Sequence, residues 1–291
     1  MPTVIETTNL TKSYGKHRGI IDVNISVNEG EIYGFIGPNG AGKSTMIKTL
    51  LNFLFPTDGS ARLLGFDSVT GSRDIKKQTA YVPSDINYYE ELTVRDLLTY
   101  SDSFYPSTDS AYTQILIERF ELETEKKIGE LSMGNKKKVA LVAALSCRPK
   151  LMILDEPTNG LDPLIRQKLF EALHEQRQAG CTVFLSSHNL DEVQSLCSRV
   201  AIIREGRIAD IKELGVLSAE KAKRVTVAGE SLPDSIENAA VKIVSQDTGK
   251  IVFTYHSQDM DALLQLLQAM NARDFLVEDV KLSDIFLSYY K

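Results

Sequence analysis

The chain of 291 residues carries a formal net charge of −6, with 43% hydrophobic and 25% charged residues. It is longer than one ordinary domain and apolar enough for a substantial core, which predicts one large domain with an appendage. The negative balance argues against free nucleic acid as the main partner, and no apolar run approaches the roughly 18 residues that span a bilayer.

Met1 to Glu6 lacks the basic and apolar regions of a signal peptide. Short alternating runs follow, such as Val4-Ile5-Glu6 and Ile21-Asp22-Val23-Asn24-Ile25, broken at Gly15, Gly19 and Gly30. They predict antiparallel strands packed on a core. Tyr14, between Ser13 and Gly15, falls in a predicted loop, where an aromatic ring either stacks on a base or lies half-buried at a rim.

Glu31 to Ile36 reads as a buried strand and Lys43 to Phe53 as a helix. Between them Gly37-Pro38-Asn39-Gly40-Ala41-Gly42-Lys43-Ser44-Thr45 fits the phosphate-loop pattern GxxxxGK[ST]. Successive backbone N–H groups must turn inward around phosphate oxygens, and side chains would obstruct that approach. Lys43 is a mobile cation for the β- and γ-phosphates, and the Ser44 hydroxyl is an oxygen ligand for Mg²⁺. The stretch predicts a nucleoside triphosphate site.

Pro56 to Ser60 reads as a turn, Ala61 to Leu64 as a strand, and Thr79 to Pro83 as another, stopped by its proline. The pattern to about Cys147 is mostly helical, with apolar spacing over residues 93–103 and 113–120. Leu131-Ser132-Met133-Gly134-Asn135 precedes a predicted helix over residues 136–146. Lys136, Lys137 and Lys138 in its first turn add positive charge where the helix dipole already presents it. Two readings stay open: an anion arrives there, or a solvated charge run tolerates the repulsion.

Leu151-Met152-Ile153-Leu154 marks a strand covered on both faces, ending in Asp155-Glu156-Pro157. Asp162-Pro163 opens a helix to about Gln178, which Gly180 ends. Thr182 to Ser186 is the next core strand, followed by Ser187-His188, a helix from Leu190, and a hairpin over residues 199–211 turning at Glu205-Gly206. Beyond Leu217 strands over 224–227, 241–244, 251–255 and 277–280, an amphipathic helix over 259–270 and a terminal helix to Tyr289 predict a small α+β unit. Cys147, Cys181 and Cys197 fit neither a disulfide framework nor a zinc pattern, so reduced, buried thiols in a cytoplasmic chain are expected.

Asp155 and Glu156 stand at the C-terminal end of a core strand, the ligand crevice of an open α/β sheet. There Asp155 can hold Mg²⁺ through water, and Glu156 can polarise a water attacking the γ-phosphate. His188, past the next strand, points to the same crevice, although by composition alone an isolated histidine is more often an ordinary surface or core residue.

The ordered set of Tyr14, residues 37–45, residues 131–135, residues 151–156, Gly160-Leu161-Asp162 and His188 resembles the ATP-binding subunit of an ABC transporter over residues 1–217. The resemblance implies a RecA-like α/β P-loop core with an antiparallel β subdomain and a helical subdomain (about 86–147), followed here by the α+β extension, 218–291. It implies ATP and Mg²⁺ as ligands, Tyr14 on adenine, Glu156 as catalytic base and His188 on the γ-phosphate. Ser132 and Gly134 belong to the signature loop that contacts ATP on a partner subunit, and Asp162 lies in the loop joining the two sites. A homodimer or heterodimer on the inner face of the plasma membrane, driving a separate transmembrane permease, is the implied assembly.

Two departures stand out. Met133 and Asn135 replace the first Gly and the Gln of the usual LSGGQ, with Ser132 and Gly134 kept. Ser84, followed by Asp85, stands where the family has a Gln that touches Mg²⁺ and the attacking water; the shorter side chain leaves a water bridge as the substitute. Residues 84–91, with Tyr88 and Tyr89, are the expected contact with the membrane subunit. The C-terminal unit, ending in residues 281–290, resembles the tail extension of subunits that serve drug, antibiotic and toxin exporters, a resemblance that favours export over import. A soluble ribosome- or DNA-acting relative would carry two cassettes or a long coiled coil, and Glu156 with His188 argues against a module that only senses nucleotide.

Overall fold

The computed structural model describes residues 2–15, 17–105, 108–214, 223–229, 232–233, 236, 238–257, 259–270 and 272–279. The expected terminal helix and the boundary at Leu217 lie outside them. The chain forms two units, Met1–Ile211 and Lys212–Lys291.

In the first unit β1 (Thr3–Tyr14), β2 (His17–Val23) and β3 (Ser26–Asn28) precede β4 (Ile32–Ile36), which feeds α1 (Lys43–Leu50). Next come β5 (Asp58–Leu63), β6 (Phe66–Asp67), α2 (Ser72–Lys76) and β7 (Thr79–Val82). A helical stretch of α3 (Val94–Asp102), α4 (Ser110–Arg119) and α5 (Met133–Ser146) leads to β8 (Leu151–Asp155). The unit closes through α6 (Pro163–Gln178), β9 (Thr182–Ser187), α7 (Leu190–Leu196), β10 (Arg199–Arg204) and β11 (Arg207–Glu213).

One sheet runs β2-β1-β5-β6, with β3 also on β1, and these pairings are antiparallel. The other runs β11-β10-β4-β9-β8-β7, and from β10 to β7 it is parallel. Every residue of β4, β8 and β9 is buried, as expected of strands covered on both faces. One core joins the two sheets through α1: Ile5, Ile20 and Leu63 pack with Met46, Phe35 and Phe184. The β10–β11 hairpin turns where predicted, with Glu205 and Gly206 both left-handed (φ 52 and 80°), the pair of positive φ values that a tight two-residue hairpin demands.

Local signals place most helix starts. Thr93 and Asp96 form a reciprocal capping box on α3, and Asp109 and Asn189 cap α4 and α7. Asp162 accepts from Ile165 N at 3.0 Å, with Pro163 opening α6. Some bounds differ from expectation. Helix α1 stops at Leu50 rather than Phe53, because Asn52 turns left-handed (φ 54°). Helix α5 begins at Met133, earlier than expected, because Ser132 caps it through Asn135 N at 3.3 Å. Strand β5 extends back through the expected turn to Asp58, and Tyr14 ends strand β1 instead of lying in a loop. Cys147, Cys181 and Cys197 are buried.

In the second unit β12 (Lys223–Ala228), β13 (Val241–Asp247), β14 (Lys250–Tyr255), α8 (Met260–Ala269) and β15 (Asp274–Asp279) form an antiparallel sheet ordered β13-β14-β12-β15, with a helix against it. Leu263 and Leu267 of α8 pack on Val225, Val227, Ile251 and Phe253.

Candidate functional site

Strand β4 ends in the 37–45 loop, and its glycines are required where the backbone crowds or turns left-handed. A Cβ on Gly37 would lie 2.5 Å from the Ile203 carbonyl oxygen. Gly40 and Gly42 have φ of 78 and 112°, which side-chain-bearing residues avoid. Gly42 caps α1 without a side chain, so the helix presents its first-turn N–H groups toward the loop. Lys43, buried, folds back across the loop: Nζ donates to the carbonyls of Gly37 (2.8 Å) and Pro38 (3.3 Å). Pro38, Asn39 and Gly40 are exposed, Ala41 is buried, and Ser44 and Thr45 are half-buried.

The two carboxylates emerge from β8 beside this loop. Asp155 Oδ1 accepts from Ser186 Oγ at 2.6 Å, while Oδ2 is buried with no hydrogen-bond partner among the described residues. Glu156 is left-handed (φ 50°), an unfavourable state for a residue with a side chain, and its N–H is held by Ser186 O (3.2 Å) and Oγ (3.1 Å). That turn aims its carboxylate at two partners. Oε1 lies 3.1 Å from Lys43 Nζ, and Oε2 is 2.7 Å from His188 Nδ1. A carboxylate only accepts, so Nδ1 carries the proton.

The structure thus unites Lys43, Glu156 and His188. Asp155 and Ser44 supply oxygen donors, one of them a buried orphan, which is the donor set that suits a hard divalent cation such as Mg²⁺. Tyr14 presents a ring that is 41% exposed, with Lys12 Nζ 5.6 Å from its centroid.

Ser132 and Gly134 open α5, and Asp162 caps α6. A Cβ on Gly134 would lie 2.6 Å from the Gly160 carbonyl oxygen, so the start of α5 packs directly on the loop before α6. Backbone N–H bonds, Ile165 first, hold the Asp162 carboxyl below the usual carboxylate range. Among the described residues no hydrogen bond or ion pair links Ser132 or Gly134 to the 37–45 loop of the same chain.

The lysine run finds partners within the chain. Lys136 Nζ faces Glu90 Oε1 at 3.7 Å, Lys137 Nζ donates to Pro83 O and Ser84 O at 2.9 and 3.0 Å, and Lys138 Nζ reaches Glu121 O at 3.4 Å. Each lysine has an acceptor within the chain, an arrangement that neither reading of the run included.

Sequence reasoning also missed Ser186, which organises both carboxylate residues, and Glu192. Glu192 ties the loop before α6 to α7, accepting from Thr158 Oγ1 (2.7 Å) and pairing with Arg166 Nη1 (3.2 Å). Only a hydroxyl closing an apolar strand hinted at Ser186. The adjacent tyrosines separate: Tyr89 is 76% exposed, whereas Tyr88 is half-buried, and burial pushes its hydroxyl up to about 12. Both line a groove of about 830 Å³ together with Arg73, Lys76, Tyr100 and Phe104.

Residues 20–159 match the family described as ABC transporter. The chain is 37% identical over 213 residues to the bacitracin transport ATP-binding protein BcrA of Bacillus licheniformis, covering 72% of this chain and 70% of that protein. It is 32% identical to the Nod factor export ATP-binding protein I of Burkholderia lata, over 97% of this chain and 95% of that one. A solved structure of an ATP-binding subunit of an ABC transporter superposes with a TM-score of 0.69 at 32% identity, covering 75% of this chain and 92% of that one. Subunits of this kind dimerise and work with transmembrane components. No helix among the described residues is long and apolar enough to cross a membrane itself. With its phosphate loop, paired carboxylates and histidine in one crevice, the chain belongs to the ABC transporter family, as the ATP-binding and ATP-hydrolysing subunit of such a transporter.

Proposed function

We propose that this subunit binds ATP·Mg at the Lys43–Glu156–His188 site, completes that site with a second ATP-binding subunit, and powers export by a separate membrane protein. The observation that carries the reading is the Glu156 carboxylate held between Lys43 (3.1 Å) and His188 (2.7 Å) beside the α1 N-terminus. A triphosphate in the 37–45 loop would draw the Lys43 ammonium onto its β- and γ-phosphoryl oxygens. Glu156 Oε1, released from the lysine, then accepts a proton from the attacking water, while His188 holds Oε2 and orients the carboxylate. Ser44 and Asp155 would hold Mg²⁺, whose charge would offset that of the phosphoryl oxygens. The exposed ring of Tyr14 stacks on adenine.

Ser132 and Gly134, clustered apart from the loop of their own chain, contact the nucleotide of the partner subunit, and Asp162 lies in the segment that joins the two sites. The groove beside residues 84–91 receives the membrane subunit: it combines exposed Tyr89 and Phe104 with Arg73 and Lys76, an aromatic and cationic surface suited to an amphipathic helix with an acidic end. With that contact made, the proposed seat of the subunit is the inner face of the plasma membrane. Export follows from the bacitracin and Nod factor relatives, with residues 218–291 as an accessory domain.

Glu156→Gln tests the assignment, because the amide keeps the shape and cannot accept the proton. Hydrolysis is expected to fall roughly 10²- to 10⁴-fold with ATP binding retained. Light scattering coupled to size exclusion is expected to show an ATP-dependent dimer of this variant that disperses in ADP and is abolished by adding Ser132→Arg. Steady-state turnover at the native rate in the Gln variant removes Glu156 from the mechanism.

A further inference from the structure

Of the three lysines at the start of α5, Lys137 is unlike its neighbours. Lys136 and Lys138 are partly exposed, whereas Lys137 is 2% exposed, with its ammonium on the carbonyls of Pro83 (2.9 Å) and Ser84 (3.0 Å). A buried ammonium is costly, and a methionine would fill the same space without a charge to desolvate. Burial pulls the Lys137 pKa down, while the carboxylates of Asp155, Asp85 and Glu156 act in the opposite sense and favour the charged form. The gripped carbonyls lie just past β7, whose Val82 pairs with Leu154 of β8, so the charge sits at the strand end that carries Asp155 and Glu156. The two carbonyls it grips flank the position where a Gln is expected and Ser84 stands.

We propose that Lys137 is a positioning residue for ATP hydrolysis. From α5 it fixes the Pro83–Ser84 turn beside Asp155 and Glu156, so the main chain supplies order there that the short Ser84 side chain does not. The inference rests on the assignment of Asp155 and Glu156 to the ATP·Mg site. It also joins two surfaces. The helix whose first turn holds Gly134 is hydrogen-bonded, one turn later, to the segment that leads to Tyr88 and Tyr89. A displacement of α5 on closing against a partner is carried into the groove through these two bonds.

The full chain carrying Lys137→Met, Lys137→Arg or, as the neighbouring control, Lys136→Met tests this. The readouts are kcat and KM for ATP, thermal melting, and amide exchange over residues 84–87. Lys137→Met is expected to lower kcat roughly 10- to 100-fold, the scale of a misplaced catalytic group, with KM within about threefold. Exchange quickens at residues 84–87 and not across the chain. Arginine, which donates to the same carbonyls, restores most of the rate, and Lys136→Met changes neither readout. A Lys137→Met protein with native kcat and native exchange at 84–87 overturns the proposal. So does a loss of rate in both Lys137 variants that accompanies a lower melting temperature and faster exchange throughout, which assigns Lys137 to folding alone. Glu156→Gln and Lys43→Ala run alongside separate the two readings. If Glu156→Gln loses turnover and Lys43→Ala loses binding while Lys137→Met keeps its rate, Lys137 alone is misassigned; if Glu156→Gln turns over normally, the carboxylate assignment itself fails.

Discussion

Ser186→Ala is the sharpest probe of how the carboxylate pair is built. The Ser186 hydroxyl donates to Asp155 Oδ1 at 2.6 Å and accepts from Glu156 N at 3.1 Å, and all three residues are buried. The two partners lose unequally. Glu156 N keeps its bond to Ser186 O at 3.2 Å, whereas Asp155 Oδ2 already lacks a partner among the described residues. Alanine therefore strands the whole Asp155 carboxylate. A hydrogen bond to a charged, buried acceptor is worth about 1.5–3 kcal/mol, and an expected loss of ~2 kcal/mol lies inside that range. For a unit of about 200 residues each kcal/mol moves Tm by about 2–4 °C, so the ligand-free variant is expected to melt about 4–8 °C lower. ATP·Mg should recover part of the loss, because a cation at Asp155 supplies the missing partner and binds only the folded chain. Calorimetric melting with and without ATP·Mg measures both terms. A ligand-free shift under about 1 °C refutes the argument, since it would mean that Asp155 does not depend on Ser186 for its solvation.

Gly134→Ala puts a methyl group 2.6 Å from a backbone oxygen of Gly160, and such overpacking costs about 1–3 kcal/mol. Urea unfolding is expected to report that loss, and size exclusion with ATP a weakened dimer. Tyr89→Ala is expected to change stability by less than about 0.5 kcal/mol, because the ring is 76% exposed, yet to uncouple transport in vesicles carrying the permease. Tyr88→Ala, at a half-buried ring, is expected to destabilise by about 1–2 kcal/mol, and equal stability losses for the two would contradict the separation seen here. Burial pushes the Cys147 and Cys181 thiols up to about 12, so thiolate is scarce at pH 8 and native alkylation is expected to be slower than in urea by at least about a hundredfold.

The parts of this molecule written in short stretches of sequence were legible. The phosphate loop, the apolar strand ending in Asp155 and Glu156, the Asp162 cap with Pro163 and the turn at Glu205-Gly206 are each complete within about ten residues, where local geometry leaves few alternatives. What escaped depends on partners far away in the chain. Ser186 matters because strand β9 pairs with β8 and brings it to Asp155, 31 residues earlier. The lysine run looked like uncompensated charge because its acceptors, at Glu90, Pro83, Ser84 and Glu121, belong to elements that only tertiary packing brings near. Tyr88 and Tyr89 are identical in type and adjacent, so no pattern could assign one inward and the other outward. The start of α5 was obscured by Gly134, a poor helix former that the close approach to Gly160 requires in the first turn.

Strand β4, which leads into the phosphate loop, lies between β9 and β10. Both neighbours are encoded much later, at Thr182–Ser187 and Arg199–Arg204. At about 5–20 residues per second, roughly ten to thirty seconds pass on the ribosome between the making of β4 and of β10. Until β9 is made, a strand containing Ile32, Tyr33, Phe35 and Ile36 has neither lateral partner, the kind of edge that other chains readily join. The nascent polypeptide thus carries its nucleotide loop without a seat for more than half of its synthesis. A stop codon between Gly37 and Thr182 is expected to leave an adhesive fragment with no working pocket, not a smaller enzyme.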